Sequence, residues 1–357
     1  MSVQERVVYI LGAGFSAPLG LPLMSTFLSR SKDLFAKEPA KYVALFKPIF
    51  DEVDRMAKAK NYYSADLFNI EELLSLLEMG AFANANRRAV EFKEYICAVI
   101  EGSMLPLSSS NRGSLPSSFI FGDSSSGNWL YYGPFVAAIL GMSIEHDQQT
   151  NTLSVRRVDR PRCVYDVITL NYDRIPEVLA AHVLANARTL QGTGPAPGFD
   201  VFPSSGERDH SKPLLAKLHG SSEDPSSIVP PTWNKGRSEH IASAWRYAHE
   251  ALSKANHIRF IGYSLPVTDA YFKYLLKSSV LDSDNLKTID AFCLDHSHIV
   301  EQQYRSFITF NTFRFVSGDT LSYLRKVRGS LPNYQPDDMM WAHLEAAHES
   351  MMTNAVG

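Results

Sequence analysis

Cysteine is scarce in this chain: its 357 residues include three, Cys97, Cys163 and Cys293. They are widely separated and form no C-x-x-C pair, which excludes a four-cysteine structural zinc site. Three dispersed thiols supply no disulfide framework either, as expected of a reducing compartment. Each reads first as a small buried hydrophobe. An excess of one charge is missing too. Lys and Arg number 35 against 38 Asp and Glu, a formal net charge of −3, so the global electrostatics give no reason to expect direct nucleic-acid binding. No stretch approaches the ~18 apolar residues of a membrane span. The first apolar run follows Glu5 and Arg6 and is interrupted by Gly12 and Gly14, unlike a secretory leader. The expectation is a cytoplasmic protein without membrane contact. The sequence has no internal repeats, and its histidines show no metal-ligand spacing. His296 and His298 flank Ser297, while His343 and His348 lie five apart on an expected helix. No metal site is expected.

What is present is an alternation of short apolar runs and amphipathic stretches. Residues 6–11 (RVVYIL) read as a buried strand that stops at glycine, and helix is expected from Leu19 to about Leu34. NIEELLSLLEMG, from Asn69, reads as helix, with Asn69 as cap and Glu72 as its reciprocal partner. Leu67, Ile70, Leu73, Leu74 and Leu77 form its apolar stripe. Residues 88–101 and 129–142 are also expected to be helical. Between them, Ser108 to Asn128 is a Ser- and Gly-rich loop, long for a compact domain. Strands return at 164–170, 214–218, 258–261, 289–294 and 313–316, with helices between them. One is expected over 241–255 and another after Thr268. Such alternation implies an α/β fold built on a doubly wound, Rossmann-like parallel sheet. The 140 residues after the first β–α unit read as a large helical insertion. The expected division is residues 1–22 with 160–325 as the Rossmann-like part, 23–159 as the helical insertion with its Ser-rich loop, and 326–357 as a helical tail. The Met-rich tail helix is expected to dock on the protein's own core, with an oligomer or partner contact as the alternative.

Chemistry-bearing residues fall where strands end. LGAGFSAPLG, from Leu11, follows a strand and opens a helix, the context a dinucleotide fingerprint requires. Gly12 permits a tight turn, Gly14 lets backbone approach a pyrophosphate, and Ala17 fills the third small position. A helix N-terminus there offers N–H groups to phosphate. No second strand follows closely with a terminal acid, which argues against an ordinary dehydrogenase. ITLNYD ends in Asn171 and Asp173, two apart and therefore on one side of an extended chain. Asn171 can orient a water or a ribose hydroxyl but cannot act as a base. Asp173 either accepts a hydrogen bond from a carboxamide or caps the next helix. In KLHGS, His219 reaches the same rim and can take a proton near neutrality, or be merely structural. In FIGYSLPVTD, Gly262 and Ser264 can hold phosphate or ribose. Asp295 can accept adenosine-ribose hydroxyls, and Gly318 can lie close to adenine.

Together these motifs resemble the sirtuin superfamily. GAGFSAPLGLP is similar to its opening glycine-rich loop, TLNYD to its T-Q-N-x-D, KLHGS to its histidine–glycine step, and GYSL to its G-T-S-L. FNIEELLSLLE, IVPPTW and IGYSLPVTDAYF resemble recurrent segments of the sirtuin-like group found in bacterial antiphage defence systems. The resemblance spans roughly residues 6–320. It departs from the deacylases in the missing zinc cysteines, in Leu23–Ser25 after Pro22, and in Leu170 before the asparagine. It implies NAD⁺ as substrate and NAD⁺ glycohydrolysis as activity, in a NAD-depleting effector. Asn171 would position water or ribose, His219 would contact a ribose hydroxyl or act as base, and Asp173 would orient the nicotinamide end. Gly12, Ala13, Gly14, Ser16, Gly262, Ser264 and Asp295 would hold phosphates and ribose. It also implies control by assembly: a homo-oligomer, with a HerA-like ATPase or an argonaute as possible partner. The competing readings are a protein deacylase or ADP-ribosyltransferase, and a non-catalytic NAD or ADP-ribose-binding module.

Overall fold

The computed structural model describes residues 4–63, 66–84, 87–105, 127–147, 152–158, 161–186, 188–189, 198–230, 239–283, 285–329 and 338–353. The expected Ser-rich loop lies almost wholly outside them. The first strand, β1 (Glu5–Leu11), ends at a one-turn helix, α1 (Ala13–Ser16). Five longer helices follow: α2 (Phe27–Lys37), α3 (Pro39–Met56), α4 (Ile70–Asn84), α5 (Arg88–Ser103) and α6 (Trp129–Ile139). After a hairpin of β2 (Met142–Asp147) and β3 (Thr152–Arg157) come β4 (Cys163–Thr169), α7 (Ile175–Asn186), β5 (Arg188–Thr189), β6 (Asp200–Phe202) and β7 (Leu214–Lys217). The remainder alternates: α8 (Glu239–Ser253), β8 (His257–Ile261), α9 (Ala270–Leu281), β9 (Thr288–Cys293), α10 (Ile299–Phe307), β10 (Phe313–Ser317) and α11 (Thr320–Gly329). Last are β11 (Asp338–Met339) and α12 (Met340–Thr353). None of the described helices is long and apolar enough to cross a membrane.

The main sheet is a seven-stranded, all-parallel sheet in the order β10-β9-β8-β1-β4-β7-β6. The expected doubly wound, Rossmann-like sheet is therefore present, with β1 at its centre. Strand periodicity explains how both faces are covered. Val7, Tyr9 and Leu11 point into one core with α2–α7, α11 and α12, whereas Val8 and Ile10 point into a second core with α8, α9 and α10. All five side chains are essentially inaccessible, and the four aliphatic ones are each worth about 1.5–3 kcal/mol. The registers place Leu11, Thr169, Lys217, Ile261 and Phe292 in one row across the sheet. Loops leaving that row emerge at a common carboxyl-terminal rim.

Three expectations change. Helix does not start at Leu19: Gly20 takes φ +92 and ends a short 3-10 turn. Pro22 lies in the extended segment that follows, and α2 begins at Phe27. Sequence reading also missed a small second sheet, β11-β2-β3-β5, because MSIEHD and TLSVRR carry too few apolar residues to announce strands. Glu72 does not reciprocate Asn69. Asn69 Oδ1 accepts from the amides of Glu71 and Glu72 at 3.0 and 3.1 Å, while Glu72 Oε2 accepts from the Asp66 amide at 3.2 Å.

The tail helix α12 docks on the sheet through Met340, Leu344, Ala347 and Met352, and through a buried polar chain. Arg259 forks onto Glu345 at 2.7 and 2.6 Å and donates to the Tyr9 hydroxyl at 3.0 Å. Tyr9 and Tyr323 share a hydrogen bond of 3.1 Å, Tyr323 contacts His348 Nδ1 at 3.0 Å, and His348 Nε2 reaches Asp290 at 3.0 Å. Arg314 closes the chain on Asp290 at 2.7 and 2.8 Å. Burial, and then the Arg259 charge, depress His348 to about 4, so the imidazole is neutral. Its Nδ1 accepts from Tyr323, and its Nε2–H donates to Asp290. Burial pushes the Asp290 carboxyl up, but His348 and Arg314 pull it down to about 2.

This chain makes the protein acid-sensitive in a defined window. Between about pH 6.5 and 4 the unfolded chain takes up a proton on residue 348 that the folded chain refuses. Stability is thus full above that window and falls as pH drops through it, by about 3 kcal/mol in all. Denaturant titrations at pH 7 and 4.5 will show this loss, and His348→Gln will remove most of the difference between the two pH values.

Candidate functional site

A cleft of about 580 Å³ opens at the rim where β1, β4, β7, β8, β9 and β10 end. This is where open α/β sheets bind ligands, beyond strand carboxyl ends and at the point where chain order reverses around β1. Of the residues expected to act, Asn171, Asp173, His219, Gly12, Ala13, Gly14, Ser16, Gly262 and Ser264 all line it, as does Gly318. Asp295 does not. Burial pushes its carboxyl up, but the amides of Glu301, Val300 and Ser297 more than reverse that, so it serves the start of α10. The acid that lines the cleft beyond β10 is Asp319.

The rim is assembled by backbone contact. Gly12 and Gly14 donate their amides to Ile261 and Gly262 at 3.1 and 2.9 Å. A Cβ on Gly12 would meet the Gly262 oxygen and Tyr263 at 2.6 Å, and one on Gly14 would meet Gly262 at 2.9 Å. Gly262 itself sits at φ +63, and a Cβ there would lie 2.4 Å from the Phe15 nitrogen. The motif glycines are thus required by the approach of two loops to one another. Gly220, in KLHGS, is held at φ +90 with Ser227 backbone where a side chain would project. That turn delivers His219 to the cleft.

Asn171 extends from β4 across this contact. Its Nδ2 donates to the Gly12 oxygen at 2.9 Å and to Ser16 Oγ at 3.1 Å. Asp173 Oδ1 accepts from the Ile175 amide at 3.0 Å and so caps α7. Burial raises the Asp173 carboxyl above the usual range, against the pull of Ser16, Ile175 and Lys217. Lys217 is buried and binds the Asp173 carbonyl at 2.5 Å and Glu177 at 2.7 Å. The Asn171 carboxamide is therefore held by a fully engaged frame, with no protein partner on its oxygen among the described residues.

His219 is 2 % exposed and lies between two acids. Its Nδ1 is 3.7 Å from Glu71 Oε1 and its Nε2 is 3.7 Å from Asp269 Oδ2. Each acid has a tyrosine: Tyr172 donates to Glu71 at 3.5 Å and Tyr263 to Asp269 at 2.9 Å. Burial, then the neighbouring carboxylates, hold both phenols far above their ordinary range, so they remain donors. Sequence reading missed these groups. Each stands inside a quoted motif, but the helix that holds Glu71 is read there for its cap and its apolar stripe and not for this acid. The helical layer also braces the opening loop. Tyr132 donates to the Phe15 carbonyl at 2.5 Å, Asn128 to the Pro18 carbonyl at 2.8 Å, and Ser222 to Glu101 at 2.7 Å.

Residues 166–306, from β4 into α10, match the family model described as a SIR2-like domain. The match agrees with the sirtuin-like motifs and contains TLNYD, KLHGS and GYSL. No curated protein matches the sequence. Among solved structures, the chain is similar to Sir2 in complex with the inhibitor EX-527, 2′-O-acetyl-ADP-ribose and a deacetylated p53 peptide, at 14 % identity and TM-score 0.33. Sir2Tm bound to a propionylated peptide matches at 12 % and 0.33, and a Sir2–p53 peptide–NAD⁺ structure at 13 % and 0.31. Each match covers 90 % of this chain and 92 % of the other.

The three cysteines are all buried and free, and burial pushes each thiol up to about 12. Among the described residues one group of candidate metal ligands stands close together, Asp290, His348 and Glu349. Both Asp290 oxygens are already taken by Arg314, so that group belongs to the α12 dock. The loop-on-loop contact gives a direct test. Gly262→Ala will destabilise the fold by more than about 1 kcal/mol, read as a lowered Tm.

Proposed function

We propose that the protein is an NAD⁺ glycohydrolase, converting NAD⁺ and water to ADP-ribose, nicotinamide and a proton. The observation that carries this reading is the convergence of the glycine loop, Asn171 and His219 on one rim cleft. The turn at Gly12, Ala13, Gly14 and Ser16, with Gly262 and Ser264 opposite, receives the pyrophosphate and the adjoining ribose. The nicotinamide ribose then lies against Asn171 and His219.

The chemistry suits such a site. The C1′–N bond breaks with its electron pair passing to the pyridinium nitrogen, so neutral nicotinamide leaves without a proton donor. The ribosyl group passes through an oxocarbenium-like state, as in glycoside cleavage. Water then forms the new C1′–O bond and gives up a proton. The Asn171 carboxamide oxygen is fixed to orient that water or a ribose hydroxyl, because its Nδ2 is committed to Gly12 and Ser16. His219 contacts a ribose hydroxyl or takes the water's proton. Asp173, with its raised carboxyl, orients the nicotinamide end. The carboxylates on either side of His219 favour the positive charge that develops on the oxocarbenium-like ribose. In the cell this activity serves as NAD depletion in antiphage defence, gated by assembly with itself or with a HerA-like ATPase or an argonaute.

Incubation of the purified protein with NAD⁺, alone and with any assembled partner, tests the reading by nicotinamide release. Asn171→Ala and His219→Ala will each lower release by about 10²-fold. Near wild-type release in both variants would remove the assignment. Binding of NAD⁺ without any release would point to a ligand-sensing module, and turnover of acyl-lysine peptide to a deacylase.

A further inference from the structure

Glu71 comes from the helical layer, yet its carboxylate lines the cleft. Asn69 fixes the start of α4 by accepting the Glu71 amide at 3.0 Å, which sets the point from which the side chain enters. Glu71 Oε1 then lies 3.7 Å from His219 Nδ1 and accepts from Tyr172 at 3.5 Å. Tyr172 follows Asn171 directly, and its ring stands edge-on to the imidazole with centroids 6.0 Å apart. The ring of His219 is thus bounded by one acid and one phenol on its Nδ1 side.

We propose that Glu71 is a positioning residue for His219: its carboxylate accepts the Nδ1 proton and so fixes the tautomer and the plane of the imidazole. A neutral imidazole has one donor and one acceptor nitrogen, and the partner of one nitrogen decides the role of the other. With Nδ1–H held by Glu71, Nε2 is the acceptor, facing the cleft beside Asp269. A water or ribose hydroxyl entering there gives its proton to Nε2, and the Glu71 charge stabilises the imidazolium that results. At 3.7 Å the pair is longer than a hydrogen bond, and this positioning requires it to tighten when substrate binds, as catalytic contacts do. Asp269 is the weaker candidate for this role, because Tyr263 holds its Oδ2 at 2.9 Å, a closer contact than the 3.5 Å between Tyr172 and Glu71. Through Glu71 the start of α4 becomes part of the reaction centre.

The kinetic consequence rests on the glycohydrolase reading; the structural one does not, and the test separates them. Ring ¹⁵N spectra of the full chain, with His219 assigned by its loss in His219→Gln, report the tautomer directly. The wild type is expected to show a protonated Nδ1 and an unprotonated Nε2 near neutral pH, and Glu71→Ala to shift the proton toward Nε2 or mix the two forms. An identical His219 spectrum in Glu71→Ala overturns the proposal, whether or not NAD⁺ is cleaved. If the wild type releases nicotinamide, Glu71→Ala will lower kcat by about 10²-fold, leaving KM for NAD⁺ and Kd for ADP-ribose within about threefold. Glu71→Gln, which keeps an acceptor oxygen, will recover part of that loss, and Glu91→Gln, on the exposed side of α5, will match the wild type. Unchanged kcat in Glu71→Ala, or kcat, KM and Kd shifting together, overturns it. A wild type that releases no nicotinamide refutes the hydrolase reading alone and leaves the spectra to decide the role of Glu71.

Discussion

Everything at the rim depends on two loops meeting backbone to backbone. The turn after β1 and the turn after β8 approach so closely that Gly12, Gly14 and Gly262 leave no room for a Cβ. Two amide-to-carbonyl hydrogen bonds lock that contact. Because β1 pairs with both β4 and β8 in register, the contact also fixes where Asn171 can reach. Its carboxamide bridges from the neighbouring strand to Gly12 and Ser16. A side chain at any of the three glycines would separate the loops and remove the Asn171 anchor together with the floor of the cleft.

The cleft is then completed from a second direction. The sheet supplies Asn171, Asp173, His219 and Asp269, while α4 supplies Glu71 and α5 and α6 brace the loops through Glu101, Asn128 and Tyr132. His219 stands at the junction, with an acid from each layer on its two nitrogens. Away from the rim, the polar chain from Arg259 through Tyr9, Tyr323 and His348 to Asp290 joins three strands to α11 and α12. Breaking a buried, paired network of this kind costs several kcal/mol because it strands the remaining charges. The tail is consequently an integral support of the sheet.

Much of this was legible in the amino-acid sequence, for physical reasons. RVVYIL is a nearly continuous apolar run and VYDVITL one broken only by Asp166 and Thr169, as fits strands buried on both faces, and the glycines and polar residues that end them mark the rim. Asn171 and Asp173 both reach the cleft as read, but β4 ends at Thr169 and a bend at 172–173 places them there in place of the expected extended chain. Other features left no such trace. Asp295 ends a strand as a ribose-binding acid would, but the helix behind it claims its oxygens. The hairpin of β2 and β3 alternates over only two apolar residues per strand, Met142 and Ile144 and then Leu153 and Val155, too short a pattern to mark a strand. Glu71 looks like any acid in a first helical turn, and only the packing of α4 over the rim brings it to His219. The α12 network was equally hidden, since Arg259, Asp290 and His348 are separated widely in sequence and meet only in the folded core.

The central claim is that NAD⁺ lies along this rim with its pyrophosphate on the 12–16 turn and its nicotinamide ribose between Asn171 and His219. A crystal structure of His219→Ala soaked with NAD⁺ tests it most directly. The account predicts density for the intact dinucleotide, with C1′ of the nicotinamide ribose facing Asn171 and the phosphates against Ala13–Ser16 and Ser264. A dinucleotide bound elsewhere on the molecule, or lying in the cleft with its adenine against Asn171, would contradict it.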